Sequence, residues 1–234
     1  MKKNLYLCFL LSLISLTIIS SGCGRNNRNG NNDQETNIRF LNAVSNASSL
    51  DFFLDNKLYL QDVGYLENTS YSKESTQSQK LQVTISGTAT RLVDTTLGFG
   101  DQRDSSIIIS GTKNDSSLIV TRDDNSPASD NIAKIRFINL AYSYDKVDIY
   151  IVGKGQSIAT LDPSFEKISY KRVSTYIVLD EGSYTVILTE AGSKAVVAQS
   201  TSSAFNGASV TTIIAADTKG GIKPAKLLLL TDKK

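Results

Sequence analysis

Residues 38–54 read IRFLNAVSNASSLDFFL, and residues 135–151 read IRFINLAYSYDKVDIYI. Aligned without a gap, Ile38, Arg39, Phe40, Asn42 and Asp51 meet Ile135, Arg136, Phe137, Asn139 and Asp148. In LDFFL a period of two sends Leu50, Phe52 and Leu54 to one face and Asp51 and Phe53 to the other. In VDIYI the same rule puts Val147, Ile149 and Ile151 inward, with Asp148 and Tyr150 outward. Each phrase predicts a strand, a turn and a second strand, so the chain writes the opening hairpin of one unit twice.

The same grammar continues to the C-terminus. Alternation recurs in KLQVTIS (80–86) and SYTVILTE (183–190), and continuous apolar runs in SIIIS (106–110), TYIVL (175–179), VTTIIAA (210–216) and LLLL (227–230). β-Branched and aromatic residues fill these runs, and Gly, Asn, Asp and Ser separate them. No stretch sustains a helical apolar period after Ile38. The repeat also extends beyond the hairpin: SYSKEST (70–76) answers SYKRVST (169–175), and SLIVTRDD (117–124) answers LLLLTDKK (227–234). The predicted fold is all-β: two tandem antiparallel β-sandwich domains of immunoglobulin-like plan, 38–124 and 135–234, joined by a linker over 125–134 that carries Pro127.

Ahead of these units the chain has a different character. Lys2 and Lys3 precede an apolar run over residues 5–19, followed by Ser20, Ser21, Gly22 and Cys23. A charged start, a short apolar core and small residues before a cut site predict a secretory signal over 1–22. The ending SSGC resembles the lipobox of bacterial lipoproteins, which implies cleavage before Cys23 and acylation of its thiol, palmitate included. Residues 24–37 are rich in Asn and nearly free of apolar side chains, so 23–37 reads as the lipidated Cys and a flexible tether. Gly24 and Arg25 replace the Asp that retains some lipoproteins in the inner membrane, and by that resemblance the expected location is the outer membrane.

Composition excludes several chemistries. The chain has no His, and its two Cys are Cys8, inside the signal, and Cys23. His-based triads, Cys–His nucleophiles and the common zinc sites are therefore absent from the expectation. The 25 basic and 23 acidic side chains balance once Lys2 and Lys3 leave with the signal, so no broad basic field predicts a nucleic-acid partner.

NAVSNASSLDFFLDN (42–56) and NLAYSYDKVDIYIVG (139–153) resemble the opening of domain-of-unknown-function family 4397, in which an apolar strand leads to His or Asn, a turn, then Val-Asp-Val-Tyr-Val-Asp-Gly. Asn42 and Asn139 stand at the His/Asn place, Asp51 and Asp148 at the Asp, and Phe53 and Tyr150 at the Tyr. EGSYTVILTEAG (181–192) resembles a later Gly-x-Tyr-x-Val segment of the family. The resemblance implies a tandem β-sandwich lipoprotein or surface protein and implies no catalysis.

Residues kept in both copies are expected to serve the common fold: Asp51 and Asp148 by accepting backbone N–H groups at the strand entry, and Asn42 and Asn139 by shaping the turn. Residues in which the second copy departs are the better candidates for binding. Tyr142, Tyr144 and Tyr150 are the candidate binding residues, since aromatic planes stack on sugar rings or anchor peptides. Asp123, Asp124, Asn125 and Asp130 could supply oxygen to a Ca²⁺ ion, but their spacing matches no EF-hand loop, so neither a metal nor a cofactor is expected. The resulting expectation is a non-enzymatic envelope lipoprotein, attached to the membrane by its lipid and presenting two domains to an envelope protein or glycan. The alternative is an adhesin that binds carbohydrate or peptide through the tyrosines of the second domain.

Overall fold

The computed structural model of the protein describes residues 35–99, 104–126, 128–220 and 222–232. The predicted signal and Cys23 lie outside the described residues. In chain order the first strands are β1 (Glu35–Val44), β2 (Ser49–Leu54), β3 (Lys57–Gly64), β4 (Ser72–Ser75), β5 (Gln79–Ile85), β6 (Arg91–Leu97), β7 (Ser105–Thr112) and β8 (Asp115–Arg122). They are followed by β9 (Ile132–Leu140), β10 (Lys146–Gly153), β11 (Phe165–Ser169), β12 (Ile177–Asp180), β13 (Gly182–Glu190), β14 (Val196–Gln199), β15 (Ser203–Phe205), β16 (Val210–Thr218) and β17 (Ile222–Thr231). The protein is all-β, and β1 begins at Glu35, so Glu35, Thr36 and Asn37 pair with Ser75, Glu74 and Lys73 instead of extending the tether.

The described residues form four sheets, ordered β3-β2-β5-β6, β4-β1-β7-β8, β12-β9-β16-β17 and β11-β10-β13-β14, with β15 also paired to β13. The described pairs run antiparallel except β1 with β7 and β9 with β16, which are parallel. Those two strands meet only after the chain has crossed to the partner sheet and returned, and a connection of that length permits a parallel neighbour.

The repeated phrase opens both sandwiches because its alternation serves two interiors at once. Ile38, Phe40, Leu50 and Phe52 close the core of the first sandwich with Leu81, Val83, Ile107 and Ile109. Ile135, Phe137, Val147 and Ile149 do the same in the second with Val186, Leu188 and Ile213. The opposite faces of β1 and β9 do not meet water. Leu41, Ala43 and Ile108 pack against Ile138, Leu140, Ile214, Ala216 and Leu230, so the two inner sheets form a third apolar layer between the sandwiches. Strands buried on both faces read as near-continuous apolar runs, which explains RFLNAV and RFINLA. Truncation in that layer should therefore unfold both sandwiches together: Ile138→Ala is expected to cost about 2–5 kcal/mol in urea denaturation, with one cooperative transition retained.

Candidate functional site

The most concentrated chemistry lies at one end of this middle layer. Arg39 and Arg136 occupy matching places on β1 and β9, and both are almost fully buried, at 3% and 1% exposure. Each guanidinium first bonds the strand running parallel beside it: Arg39 Nε donates to Ser106 Oγ and Arg136 Nε to Thr212 Oγ1, both at 2.7 Å. Each then reaches across to the other sandwich. Arg39 Nη2 pairs with Asp232, just past β17, and Arg136 Nη2 pairs with Asp123, just past β8, at 2.5 Å. The hydroxyls complete a ring, because Ser106 Oγ donates to Asp123 at 2.6 Å and Thr212 Oγ1 donates to Asp232. Arg39, Ser106, Asp123, Arg136, Thr212 and Asp232 thus form a closed circuit with pseudo-two-fold symmetry.

Two tyrosines cover the circuit. The guanidinium of Arg39 lies 4.7 Å from the Tyr71 ring and that of Arg136 lies 5.2 Å from the Tyr176 ring. Tyr71 also donates its hydroxyl to Asp123 at 2.5 Å. Burial, together with Asp123, pushes the Tyr71 phenol well above its usual range, and burial pushes Tyr176 up to about 12. Tyr71 therefore matches Tyr176. The repeat is displaced from the pairing expected in sequence, which set Tyr71 against Tyr170. The connection between β10 and β11 (154–164) is longer than the Asp55–Asn56 turn between β2 and β3, and it shifts everything after it.

The residues shared by the two hairpins are structural pins. Asn42 donates to Val63 O at 2.9 Å and accepts from Val44 N at 2.9 Å; Asn139 donates to Ile168 O at 2.9 Å and accepts from Ala141 N at 3.0 Å. Asp51 accepts from Asp62 N at 2.8 Å and from Ser86 Oγ at 2.6 Å. Asp148 accepts from Lys167 N at 2.6 Å and Gly192 N at 2.7 Å. Asp62 and Lys167 have φ of 57° and 50°, and the register shifts opposite both carboxylates, so each Asp holds a bulge in the edge strand.

The three candidate tyrosines do not form one exposed cluster. Tyr142 is 44% exposed and stands edge-on to Tyr170 at 5.4 Å. Tyr144 and Tyr150 are 5% and 3% exposed. Tyr144 belongs to the second core because the 141–145 turn folds its ring inward. Tyr150 faces outward from its sheet as alternation requires, but Lys194 Nζ lies over its ring at 4.5 Å. Of the acidic residues near the linker, Asp123 is spent on the ring and Asp124 pairs with Lys134 at 2.7 Å. Among the described residues no group of three or more Asp, Glu, His or Cys side chains is placed to hold a metal. The ring itself escaped sequence reading. Its signal was an Arg between Ile and Phe in an apolar strand, written twice, with an Asp closing each unit's last strand.

Residues 36–150 match the model of a family described as domain of unknown function, DUF4397. Over those residues the chain belongs to that family. The match runs from β1 into β10 and so includes the first copy of the repeated phrase and all but the last residue of the second. No curated protein matches the chain. Among solved structures, the chain is similar to a family-26 carbohydrate-binding module of Eubacterium rectale Amy13K solved with maltoheptaose, at 10% identity and a TM-score of 0.27, covering 85% of this chain and 98% of that one. It is also similar to a streptococcal virulence factor described for α-glucan binding, at 10% identity and a TM-score of 0.26, covering 82% and 96%. A leucine-rich repeat protein of Bacteroides thetaiotaomicron matches at 13% identity and a TM-score of 0.22, covering 82% of this chain and 27% of that one. Likenesses of this size say nothing about a ligand.

Two outcomes test the geometry. Arg136→Met leaves Asp123 buried without its cation, and the expected loss is about 3–5 kcal/mol by chemical denaturation. Adding Asp123→Asn to that variant should cost less than Asp123→Asn costs in the wild type, because the orphaned charge is then gone. The exposed pair next to the ring reads out by pH. The hydrogen bond from Lys134, then that from Ser126, holds the Asp124 carboxyl at about 2, below its ordinary 3.8. A depressed folded value means that the contribution is present above the ordinary carboxylate range and is lost as pH falls through about 2. Lys134→Ala should move the Asp124 titration up toward 3.8 in a side-chain carboxyl NMR experiment.

Proposed function

We propose that the protein is a non-enzymatic envelope lipoprotein, anchored by an acylated Cys23 and presenting its two sandwiches as one rigid binding body. The observation that carries this reading is where the reactive side chains go. The deeply buried charges Arg39, Arg136, Asp123 and Asp232 neutralise one another in the circuit that joins the inner sheets. The buried carboxylates Asp51 and Asp148 are filled by donors from neighbouring strands and turns. Polar groups arranged in this way hold a scaffold together and leave its outer sheet faces and loops to meet a partner. The composition supports the same reading, since a chain without His and with Cys8 and Cys23 as its only thiols lacks the usual nucleophile–base pairs.

The anchor rests on the sequence alone. The residues between Cys23 and β1 read as a polar tether, and as a coil the eleven residues 24–34 would span roughly 20 Å, enough to lift the sandwiches clear of a bilayer surface. Lipoprotein processing supplies more than one acyl chain, and two or more chains make a stable anchor where one binds only reversibly. The expected site is the outer membrane, with an envelope protein or glycan as the partner. Cys23→Ser should move the protein from the membrane fraction to the soluble fraction after cell fractionation, with its folded circular dichroism unchanged. Membrane partitioning equal to wild type would refute the anchor.

A further inference from the structure

The two sandwiches are built alike, so the places where their outer faces differ are where binding chemistry could have been added. On the outer face of the first sandwich, Lys80 and Gln82 of β5 lie opposite Thr96 and Asp94 of β6. Asp94 ties that face shut, pairing with Arg91 at 2.5 Å and Lys80 at 3.4 Å and accepting from Gln82 Nε2 at 3.1 Å. In the second sandwich the corresponding strand β13 carries Thr185 and Ile187, with Gln199 of β14 opposite Ile187. No ion pair crosses these positions among the described residues.

The second difference is the connection into the edge strand. Between β2 and β3 the chain turns at Asp55 and Asn56, with φ of 47° and 63°, as a tight hairpin. Between β10 and β11 it makes the longer excursion 154–164. Lys194 latches it by donating to Leu161 O at 2.7 Å while covering the Tyr150 ring. Ser164 Oγ accepts from Ile151 N at 3.1 Å, and Gln156 Oε1 accepts from Gly153 N at 2.9 Å. Farther along β10 and β13, beside Val152, Gly153, Ser183 and Thr185, lies a groove of about 390 Å³.

We propose that this groove binds a neutral saccharide. Its polar lining comes from Gln156, Ser183, Thr185, Gln199 and Ser202. Hydroxyl and amide groups both donate and accept, as sugar hydroxyls do, so they suit a ligand whose polar groups are neutral and two-way. Val152 and Ile187 add an apolar floor for the C–H face of a pyranose ring. Among the described residues no carboxylate lines the groove, and the one cation that does, Lys154, stands on the exposed connection. The volume lies within the range of small-ligand clefts, about 300–1,000 Å³. The inference rests on the reading of the protein as a binding scaffold, but not on its lipid anchor.

The test is an NMR titration of the folded chain with maltohexaose, cellohexaose and chitohexaose, and separately with an oligogalacturonate of the same length, following the side-chain amides of Gln156 and Gln199 and the backbone amide of Ile187. At least one neutral oligosaccharide should shift all three signals. The double variant Gln199→Ala/Ser202→Ala should weaken that binding about tenfold, since two ligand hydrogen bonds are lost at exposed positions while Gln156 keeps its bond to Gly153 N. The proposal is overturned if no neutral oligosaccharide moves these signals, if only the acidic one does, or if the double variant binds like wild type. Partitioning of the same double variant into membranes should stay at the wild-type level, which separates failure of the groove from failure of the anchor.

Discussion

Everything in this molecule depends on a reciprocal exchange of charge. Each sandwich contributes an arginine from its first strand and an aspartate from the end of its last, and each arginine pairs with the aspartate of the other sandwich. A buried ion is expensive, costing several kcal/mol after relaxation, unless its partner and its remaining hydrogen-bonding positions are filled. Here they are. Asp123 receives Arg136, Ser106, Thr121 and Tyr71, while Asp232 receives Arg39 and Thr212, with Arg136 3.7 Å away. Since neither half of the circuit is satisfied without the other, the two sandwiches specify one orientation, and the apolar layer of Leu41, Ile108, Ile138 and Ile214 packs under it.

That arrangement ties the end of the last strand to the first strand. Asp232 follows the last strand of the second sandwich, yet its nearest cation sits on the first strand of the first. Tyr65 of the first sandwich likewise donates to Asp217 O of the second at 2.6 Å, and Tyr170 of the second meets Ser110 of the first at 3.2 Å. The polar contacts at both ends of the layer are therefore reciprocal. This layer occupies the inner sheets and leaves the outer sheets and loops outside it. These are the parts in which the copies diverge: a face cross-linked by Lys80, Arg91 and Asp94 in one, and a groove lined mainly by hydroxyl and amide groups in the other.

Much of the fold was legible because its signals are local. Alternation in LDFFL and VDIYI placed Leu50, Phe52, Val147 and Ile149 in the cores, where they are fully buried. The paired Asp residues accept the backbone N–H groups that their repetition suggested, and the Asn residues close local turns. Exposure was less legible. Alternation sends Tyr150 out of its sheet correctly, but it carries no information about Lys194, forty-four positions later, lying over the ring. The parallel pairing of β1 with β7 and the match of Tyr71 with Tyr176 were equally hidden, because both depend on where long connections bring the chain back.

The sequence by itself determined the strand pattern, the doubling of the unit and the chemistry that the chain lacks, since periodicity and composition act over a few residues or over the whole chain and need no contact map. Only the tertiary structure decided what the second face of β1 and β9 meets. An arginine in an apolar strand is an unpaid charge in sequence and becomes a structural bond only when an aspartate 193 positions away in one case, or 13 in the other, arrives within hydrogen-bonding distance. Burial on both faces is a property of the stack of four sheets, and no single strand encodes it.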